Sequence, residues 1–255
     1  MTAHAHSPSP IRLDSTPSTN TYLSTRPDIA TLPHGTVVTT RCQSCGRGQR
    51  GNTWEAEPGL NITMSMLLRP HGLAARDQFV VSEIVSVATV EFTRQHVADA
   101  GEVMVKWPND IYVDNRKICG ILIENSLSGT AINRSIAGIG LNVNQTVFRS
   151  DAPNPVSLTQ LTGQKYDVDE LASSLTRRII DTMSRYLSPH MRPQLHKRYM
   201  EMLWRRGELR PYRDTATGND FAARLSDVDP DGHLHLIDDT GTEHTYAFKE
   251  VSFII

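Results

Sequence analysis

The spacing of hydrophobic residues divides the first half of the chain into strands and one long helix. Between residues 76 and 97 the apolar side chains recur at roughly helical spacing, which predicts a long packed helix. The Val- and Thr-rich run TVVTTR predicts a buried strand. A second buried strand is predicted in NITMSMLLRP, where Pro70 ends it.

The middle of the chain is predicted to continue the sheet. Residues 102–124 have the pattern of three strands joined by two turns, and Asp114 and Asn115 are expected to take positive φ in the second, tight turn. One more strand is predicted in IAGIGLNVN. Ahead of this region, Ser18-Thr19-Asn20 are candidate caps for a helix.

The last third of the chain changes from helices to short β segments. Helices are predicted at about 168–187 and 190–206, and the turn-rich segments that follow predict a small β-barrel. The fold class is therefore α+β, with a mixed β-sheet flanked by helices first and a β-module last. We expect residues 1–10 to be a disordered leader, 11–206 to form the main domain and 207–255 the small one.

Composition excludes several function classes. The chain of 255 residues has a formal net charge of −2, which gives no overall attraction to nucleic acid or to an anionic membrane surface. Its three cysteines do not make a disulfide framework, and no apolar run approaches the ~18 residues that span a bilayer. The start, MTAHAHSPSP, lacks the apolar core of a secretory signal. We therefore expect a cytoplasmic protein.

The loop GRGQRGNTW, residues 46–54, matches the dinucleotide pattern G-x-G-x-x-G but not its context. A dinucleotide loop needs a helix that starts inside it and faces the pyrophosphate, and here a Pro58-Gly59 turn and a strand follow instead. Arg47 and Arg50 can give bidentate hydrogen bonds to carboxylate or phosphate oxygens. The loop is therefore interpreted as a binding loop for an acid, and a solvated glycine-rich turn is the alternative.

Two glycines of IAGIGLNVN indicate a close approach to the backbone. Strand alternation places Gly138, Gly140 and Asn142 on one face and the apolar residues on the other. Glycine weakens a strand interior, so two on one face favour a flat ligand lying against the backbone. A β-bulge, or close packing against a helix, is the alternative.

A lysine and an aspartate of the predicted hairpin are candidates for chemistry. Lys117 follows the tight turn, and Gly120 lies three residues further along the strand. Asp110 could pair with Lys106 or with Lys117 and orient it, although turn formation alone also explains an aspartate here. Cys42 and Cys45 form a CxxC pair without the further ligands of a zinc site, so no metal site is expected.

Five segments, taken together, resemble the biotin protein ligases and follow that family's order. They are Ser18-Thr19-Asn20, GRGQRGNTW, KWPNDIYV, RKICGILIE and GIGLNVN, and the C-terminal segment is similar to the family's small SH3-like domain. The resemblance implies an α+β catalytic domain of the class II aminoacyl-tRNA synthetase and biotinyl/lipoyl ligase type, followed by an SH3-like β-barrel.

The resemblance also implies a two-step reaction with biotin and ATP as substrates. Biotin and the Mg²⁺ complex of ATP would first give biotinyl-5′-adenylate and pyrophosphate. The biotinyl group would then pass to one lysine of a biotin carboxyl carrier domain, such as that of acetyl-CoA carboxylase. Neither DNA nor a membrane is an expected partner, and a monomer and a homodimer are both compatible with the sequence.

The resemblance assigns site residues to two overlapping sets. The biotin-binding set is Ser18, Thr19, Asn20, Gln43, Arg47, Gly48, Gln49, Lys117, Gly120, Gly138 and Gly140. The adenylate-binding set is Arg50, Gly51, Asn52, Trp54, Lys117 and Asn142. Lys117, Arg47 and Arg50 are expected to be catalytic, because attack of a carboxylate on a phosphate joins two anions. Asp110 is the fourth catalytic candidate, because it could orient or deprotonate the acceptor lysine.

Two features depart from the family pattern. Gln49 stands where many members carry arginine, so one positive charge at the mouth of the site is missing. Only about a dozen residues precede the catalytic part, whereas bifunctional members carry a helix-turn-helix domain there. A ligase without repressor function is therefore expected.

Three other functions remain open from the sequence. A lipoate or octanoyl ligase shares a related fold and adenylate chemistry, and exchange assays with biotin and lipoate separate it from a biotin ligase. A biotin sensor would bind biotin without ATP-dependent release of pyrophosphate. A nucleotide-dependent dehydrogenase would bind NAD, but it lacks the required helix.

Overall fold

The larger of two sheets forms the centre of the fold. The structure is a computed structural model that describes residues 9–48, 53–97, 100–150 and 154–254. The strands of the larger sheet are β1 (Ile11–Thr16), β2 (Val37–Gln43), β3 (Ile62–Leu68), β4 (Val103–Lys106), β5 (Asp110–Val113), β6 (Arg116–Ser128) and β7 (Ala131–Leu141). Their order in space is β1-β2-β3-β7-β6-β5-β4. β1 pairs with β2 in parallel and the other neighbours are antiparallel, so the predicted mixed sheet is confirmed.

Helices cover both faces of this sheet. They are α1 (Thr19–Ser24), α2 (Phe79–Val97), α3 (Leu158–Thr162), α4 (Val168–Tyr186) and α5 (Arg192–Glu201), and a 3-10 turn at Ala75–Asp77 precedes α2. α2 is buried over most of its circumference because it packs on the sheet, on α4 and on α5. α1 lies on the opposite face, where Leu23 packs against Leu67 and Ile136.

A smaller antiparallel sheet follows the helices. Its strands are β8 (Arg210–Asp214), β9 (Asp220–Val228), β10 (Leu234–Asp238), β11 (Glu243–Tyr246) and β12 (Val251–Phe253), in the order β11-β10-β9-β8-β12. This arrangement confirms the predicted C-terminal β-module and fits an SH3-like barrel. Its buried side chains continue the hydrophobic core of the larger sheet, so the two sheets share one packed interior.

Most predicted elements are present, with differences at two places. The second late helix ends at Glu201 and not near residue 206, because the backbone of Met202 and Trp204 hydrogen-bonds to Val105 on the edge strand β4. Among the described residues Asp114 takes a positive φ of 53°, but Asn115 does not.

The short helix α3 was not predicted from the sequence. Its signal is present as a capping box, in which Ser157 and Gln160 each bond the other's backbone N–H.

Within the part of the chain that the structure describes, no helix is both long and apolar enough to cross a membrane.

Candidate functional site

Rows of residues across β3, β7 and β6 form the floor of the candidate site. The register pairs Thr63 with Gly140 and Gly140 with Gly120, and another row joins Ser65, Gly138 and Leu122. Side chains of one row lie on one face of the sheet because strand residues alternate between faces. The predicted alternation in β7 is confirmed, since Ala137, Ile139 and Leu141 are buried in the main core.

The protein itself occupies the space over the glycines. A Cβ built on Gly140 would lie 2.4 Å from Trp54 Nε1, and one on Gly120 would lie 2.8 Å from Trp54 Cζ3. A Cβ on Gly138 would lie 2.4 Å from Asn20 Oδ1 of α1. We had expected a bare floor. The structure shows instead that the Trp54 indole and the Asn20 amide lie directly on it. Packing against a helix, the alternative interpretation, explains Gly138.

The two ends of the glycine-rich loop lie against each other. Trp54 N donates to Gly46 O at 3.0 Å, and Arg47 forms an isolated β-bridge with Thr53. A Cβ on Gly46 would lie 2.4 Å from Trp54 O, so glycine is needed for this approach. The expectations for Gln49, Arg50, Gly51 and Asn52 lie outside the described residues. No helix starts between residues 53 and 61, which agrees with the argument against a dinucleotide loop.

Lys117 is held at the edge of the floor by an acid. Its Nζ lies 2.6 Å from Asp110 Oδ2 and 5.8 Å from the centroid of the Trp54 ring. Both side chains are about three-quarters buried, which limits solvent screening of the pair. Of the two lysines that Asp110 could pair with, the structure therefore gives Lys117.

A second lysine lies behind this pair. Lys106 ends β4, and its Nζ lies 5.5 Å from the ring centroid of Tyr112 and 5.3 Å from that of Phe253. Burial lowers the pKa of the Lys106 ammonium, and Asp110 opposes this shift. Lys106 thus adds a partly desolvated cation to the same wall of the site.

The other end of the floor is built from the first turn of α1. Ser18 is the N-cap, and its side chain accepts from Thr21 N, which confirms the predicted capping. Gln43 Oε1 accepts from Thr19 N at 2.9 Å and from Thr19 Oγ1 at 3.3 Å. This bond fixes the end of β2 against α1, so the first-turn residues face the pocket in one arrangement.

Two buried polar atoms face the pocket without a partner among the described residues. They are Asn142 Oδ1 and Trp54 Nε1. The Asn142 amide is held in one orientation because its Nδ2 donates to Val156 O at 3.0 Å. A buried acceptor and a buried donor left unpaired each carry a desolvation penalty that a ligand can remove.

One pocket of about 970 Å³ connects these groups. Every described residue of the two predicted sets lines it, together with Asp110, Lys106 and residues of the small sheet. That volume is at the upper end of the roughly 300–1,000 Å³ typical of small-molecule sites, so there is room for two joined substrates. The wall from the small sheet and its turns consists of Thr215, Phe248, Lys249, Val251, Ser252 and Phe253.

The roles of several residues of this site were not predicted from the sequence. Lys106, inside the quoted motif KWPNDIYV, was named only as a possible partner of Asp110, because only its burial distinguishes it from a solvated cation. Ser65 lies in the predicted strand NITMSMLLRP and Glu124 ends the quoted segment RKICGILIE, but nothing local predicts that both bond Asn20. The C-terminal wall depends on how the small sheet packs, which strand patterns do not predict.

The fold and the pocket together define the class of protein. It is an α+β protein whose pocket lies over a sheet that carries glycines, and this pocket can hold a polyanionic ligand beside a second ligand that is an acid. The family model of the biotin/lipoate A/B protein ligase family matches residues 13–144. This is more than half of the 255-residue chain. The chain therefore belongs to the biotin/lipoate A/B protein ligase family.

Individual relatives are similar over most of the chain. The bifunctional ligase/repressor BirA of Bacillus spizizenii is 28% identical over 228 residues, which are 84% of this chain and 65% of that protein. The chain thus spans 65% of the length of this relative. The biotin–[acetyl-CoA-carboxylase] ligase of Mycobacterium tuberculosis is 28% identical over 222 residues, which are 87% of this chain and 80% of that one.

The fold is also found in a solved structure. The biotin protein ligase from Aquifex aeolicus in complex with biotin and ATP superposes with a TM-score of 0.76 at 21% identity. The match covers 96% of this chain and 98% of that one, so it extends over both sheets.

Proposed function

We propose that this protein is an ATP-dependent biotin–protein ligase. It would join biotin to AMP and then transfer the biotinyl group to a lysine of a biotin carboxyl carrier domain. The observation that carries the proposal is the Lys117–Asp110 pair at the edge of a pocket in which Asn142 and Trp54 keep unpaired buried atoms. The named ligands of similar proteins, biotin and ATP, support this choice.

In the first step a biotin carboxylate oxygen attacks the α-phosphorus of ATP. A phosphorus–oxygen bond forms, the bond to the bridging oxygen breaks, and pyrophosphate leaves with the electron pair. Because two anions meet, the ammonium of Lys117 would neutralise charge that grows in the transition state. Lys106, in the same pocket, would stabilise the negative charge of the pyrophosphate as it leaves.

The two substrates would lie at opposite ends of the floor. The biotin end is bounded by Ser18, Thr19, Asn20 and Gln43, with Gly138 beneath. The nucleotide end is bounded by Trp54 and Asn142, whose orphaned Oδ1 can accept a hydrogen bond from an amino group of the base. Trp54 lies on the glycines in this structure, so we propose that its ring shifts to cover the nucleotide when ligands enter.

The loop supplies the remaining contacts of the proposal. Arg47 and Gly48 line the pocket, and we assign them to biotin as the family resemblance implies. Gln49 stays assigned to biotin, and Arg50, Gly51 and Asn52 to the adenylate, as predictions. Closure of this loop would exclude water, which an acyl-adenylate requires because it hydrolyses easily.

In the second step the amine of the acceptor lysine attacks the carbonyl carbon of the adenylate. A carbon–nitrogen bond forms, the bond to the phosphate oxygen breaks, and AMP leaves. The attacking amine must lose a proton, and Asp110 lies 2.6 Å from Lys117 where it can accept one or orient the amine. We assign Asp110 this role.

Partners and surroundings complete the proposal. The acceptor is a carrier domain of acetyl-CoA carboxylase or of a related enzyme, as the name of the M. tuberculosis relative suggests. Mg²⁺ would arrive with the nucleotide, and no protein residue is assigned to it. The cytoplasmic location, the lack of a DNA partner, the oligomeric state and a domain boundary after residue 206 stay predictions.

The test is transfer of biotin to a purified carrier domain. The protein, biotin, MgATP and the carrier domain are incubated together, and the mass of the carrier is measured. We expect the carrier to gain one biotinyl group only when ATP is present. A carrier that gains no biotinyl group with biotin, but gains a lipoyl group when lipoate replaces biotin, would indicate the lipoate ligase of the same family.

A further inference from the structure

A chain of hydrogen bonds runs behind the biotin end of the pocket and ends at a carboxylate. Ser65 Oγ lies 2.7 Å from Thr19 Oγ1 and 2.5 Å from Asn20 Oδ1. Asn20 Nδ2 donates to Glu124 Oε2 at 2.7 Å. Since Thr19 also bonds Gln43, one continuous network links β2, α1, β3 and β6.

The hydrogen bonds of the network can be donated in only one direction, because the Glu124 carboxylate only accepts hydrogen bonds. An ionised carboxylate has no proton to give, so the Asn20 amide must direct its NH₂ group to Glu124. The carbonyl end of Asn20 then faces Ser65, which must donate its single proton to it. Ser65 therefore has none for Thr19, and the Thr19 hydroxyl donates inside the network, to Ser65 or to Gln43.

This direction determines what the pocket offers a ligand. Thr19 lines the pocket, and with its proton engaged in the network it presents lone pairs to the ligand. It therefore accepts hydrogen bonds from N–H groups. A cyclic urea has such groups, whereas the dithiolane ring of lipoate and the chain of octanoate have none.

Glu124 has a second contact, with the loop. Arg47 Nη2 lies 3.2 Å from Glu124 Oε1, and the two side chains are 46% and 39% exposed. An ion pair with this exposure stabilises the fold only weakly. Its consequence is positional, because it holds Arg47 beside Asn20 through the shared carboxylate of Glu124.

We propose that Glu124 is a positioning residue that sets ligand selectivity. Through Asn20 and Ser65 it fixes the hydrogen-bond direction at Thr19, so that the pocket takes a ligand with urea N–H donors and rejects acids without them. This inference rests on the proposed function, because it explains how that site would select biotin. Glu124 does not line the pocket, so its action on the ligand is indirect.

The first test is Glu124→Gln, measured by calorimetry without ATP. A glutamine can donate as well as accept, so the Asn20 amide can turn over and the network loses its direction. We expect binding of biotin to weaken about tenfold, which corresponds to ~1.4 kcal/mol. Binding of ATP and the melting temperature should stay unchanged. The control is Glu208→Gln, which removes an arginine ion pair of similar exposure outside the pocket.

Biotin methyl ester separates the two contacts of Glu124. If Glu124 acts through Asn20, Glu124→Gln weakens the ester as much as the free acid, because both carry the same urea. If it acts only by releasing Arg47, the ester is unaffected and the inference is overturned. Ser65→Ala interrupts the same network without changing a charge, and we expect it to weaken both ligands too.

A double substitution tests the direction itself. In Asn20→Asp combined with Glu124→Gln, the carboxylate and the amide exchange places, and the carboxylate now on α1 can only accept from Ser65. We expect the double variant to bind biotin more tightly than Glu124→Gln alone. Weaker binding, or Glu124→Gln binding biotin within about twofold of the parent, would overturn this inference alone. A parent protein that binds no biotin would overturn the proposed function as well.

Discussion

Lys117 is held in place by two neighbours of different chemistry. Asp110 Oδ2 accepts a charge-assisted hydrogen bond from Lys117 Nζ at 2.6 Å, and the face of Trp54 makes a cation–π contact with it at 5.8 Å. The ammonium is thus positioned before any substrate arrives. Electrostatic catalysis depends on such preorganisation, because a charge already in place needs no rearrangement during the reaction.

Replacing Lys117 tests this role directly. Lys117→Ala should fold normally but lose adenylate formation by roughly a few hundredfold, since one lost charge contact in a transition state costs ~3–4 kcal/mol. Biotin-dependent release of pyrophosphate measures the rate, and thermal unfolding checks the fold. Lys197→Ala, at an exposed lysine of α5, is the matched control and should keep full activity. Activity of Lys117→Ala equal to this control would remove the assignment.

Asp110 is expected to matter more for transfer than for activation. Asp110→Asn keeps a hydrogen bond to Lys117 but cannot accept a proton from the acceptor lysine. We predict that the rate of transfer to the carrier domain falls more than the rate of pyrophosphate release. Single-turnover measurements of each step separate them. Equal losses in both steps would mean that Asp110 acts only through Lys117.

At the scale of elements, strand β7 shows how far local patterns reach. Alternation alone predicted that Ala137, Ile139 and Leu141 enter the main core, because the period of two is a property of any strand. What covers Gly138 and Gly140 was not predicted, because Asn20 and Trp54 come from α1 and from a loop distant in the sequence. Likewise α5 ends early since the following backbone pairs with β4, a tertiary contact that overrides helical spacing.

Separation along the sequence also explains why some residues of the site were predicted and others were not. The motifs around Lys117, Trp54 and Thr19 identified pocket residues, because each motif lies on one element. Glu124 and Ser65 were not found, since their importance arises only where β6, β3 and α1 meet.

The two glycines of β7 should respond differently to a methyl group. Gly138→Ala would press on Asn20, and Gly140→Ala would press on Trp54, each at 2.4 Å. We expect the first to weaken biotin binding more than ATP binding. Although the family resemblance assigns Gly140 to biotin, we expect the second to do the reverse, because Trp54 bounds the nucleotide end. Calorimetry with each ligand measures both. If the two variants change the two affinities in the same ratio, the proposed division of the floor is wrong.

At the scale of the whole molecule, His196 of α5 connects helix α2 to strand β9 of the small sheet, on the side away from the pocket walls. His196 Nδ1 lies 2.6 Å from Glu83 Oε1 on α2, and its Nε2 lies 3.0 Å from Asp227 Oδ1 on β9. The hydrogen bond to Glu83 raises the pKa of His196 above its usual 6.5, while burial raises the pKa of Glu83. The ring therefore connects a helix packed on the larger sheet to the small sheet that walls the pocket, and a raised pKa favours its protonated form, which can donate to both acids.

This connection predicts a pH dependence of stability. A pKa raised by folding contributes stability that is fully present below the unfolded value and is lost as pH rises through the folded value. The difference in free energy of unfolding between the parent and His196→Gln should therefore be largest in mild acid, below the usual pKa of 6.5, and should decline as pH rises through the raised pKa of the folded state. In stronger acid the difference should shrink again as Glu83 takes a proton. Urea unfolding across this range tests it, and a constant difference would contradict it.

The most direct measurement of the central claim is exchange of labelled pyrophosphate into ATP. It needs only the protein, MgATP and the acid, so it reports activation in the pocket without any carrier domain. We predict rapid exchange with biotin, much slower exchange with lipoate or octanoate, and loss of biotin-dependent exchange in Lys117→Ala. No exchange with biotin, or exchange with lipoate as fast as with biotin, would contradict the account.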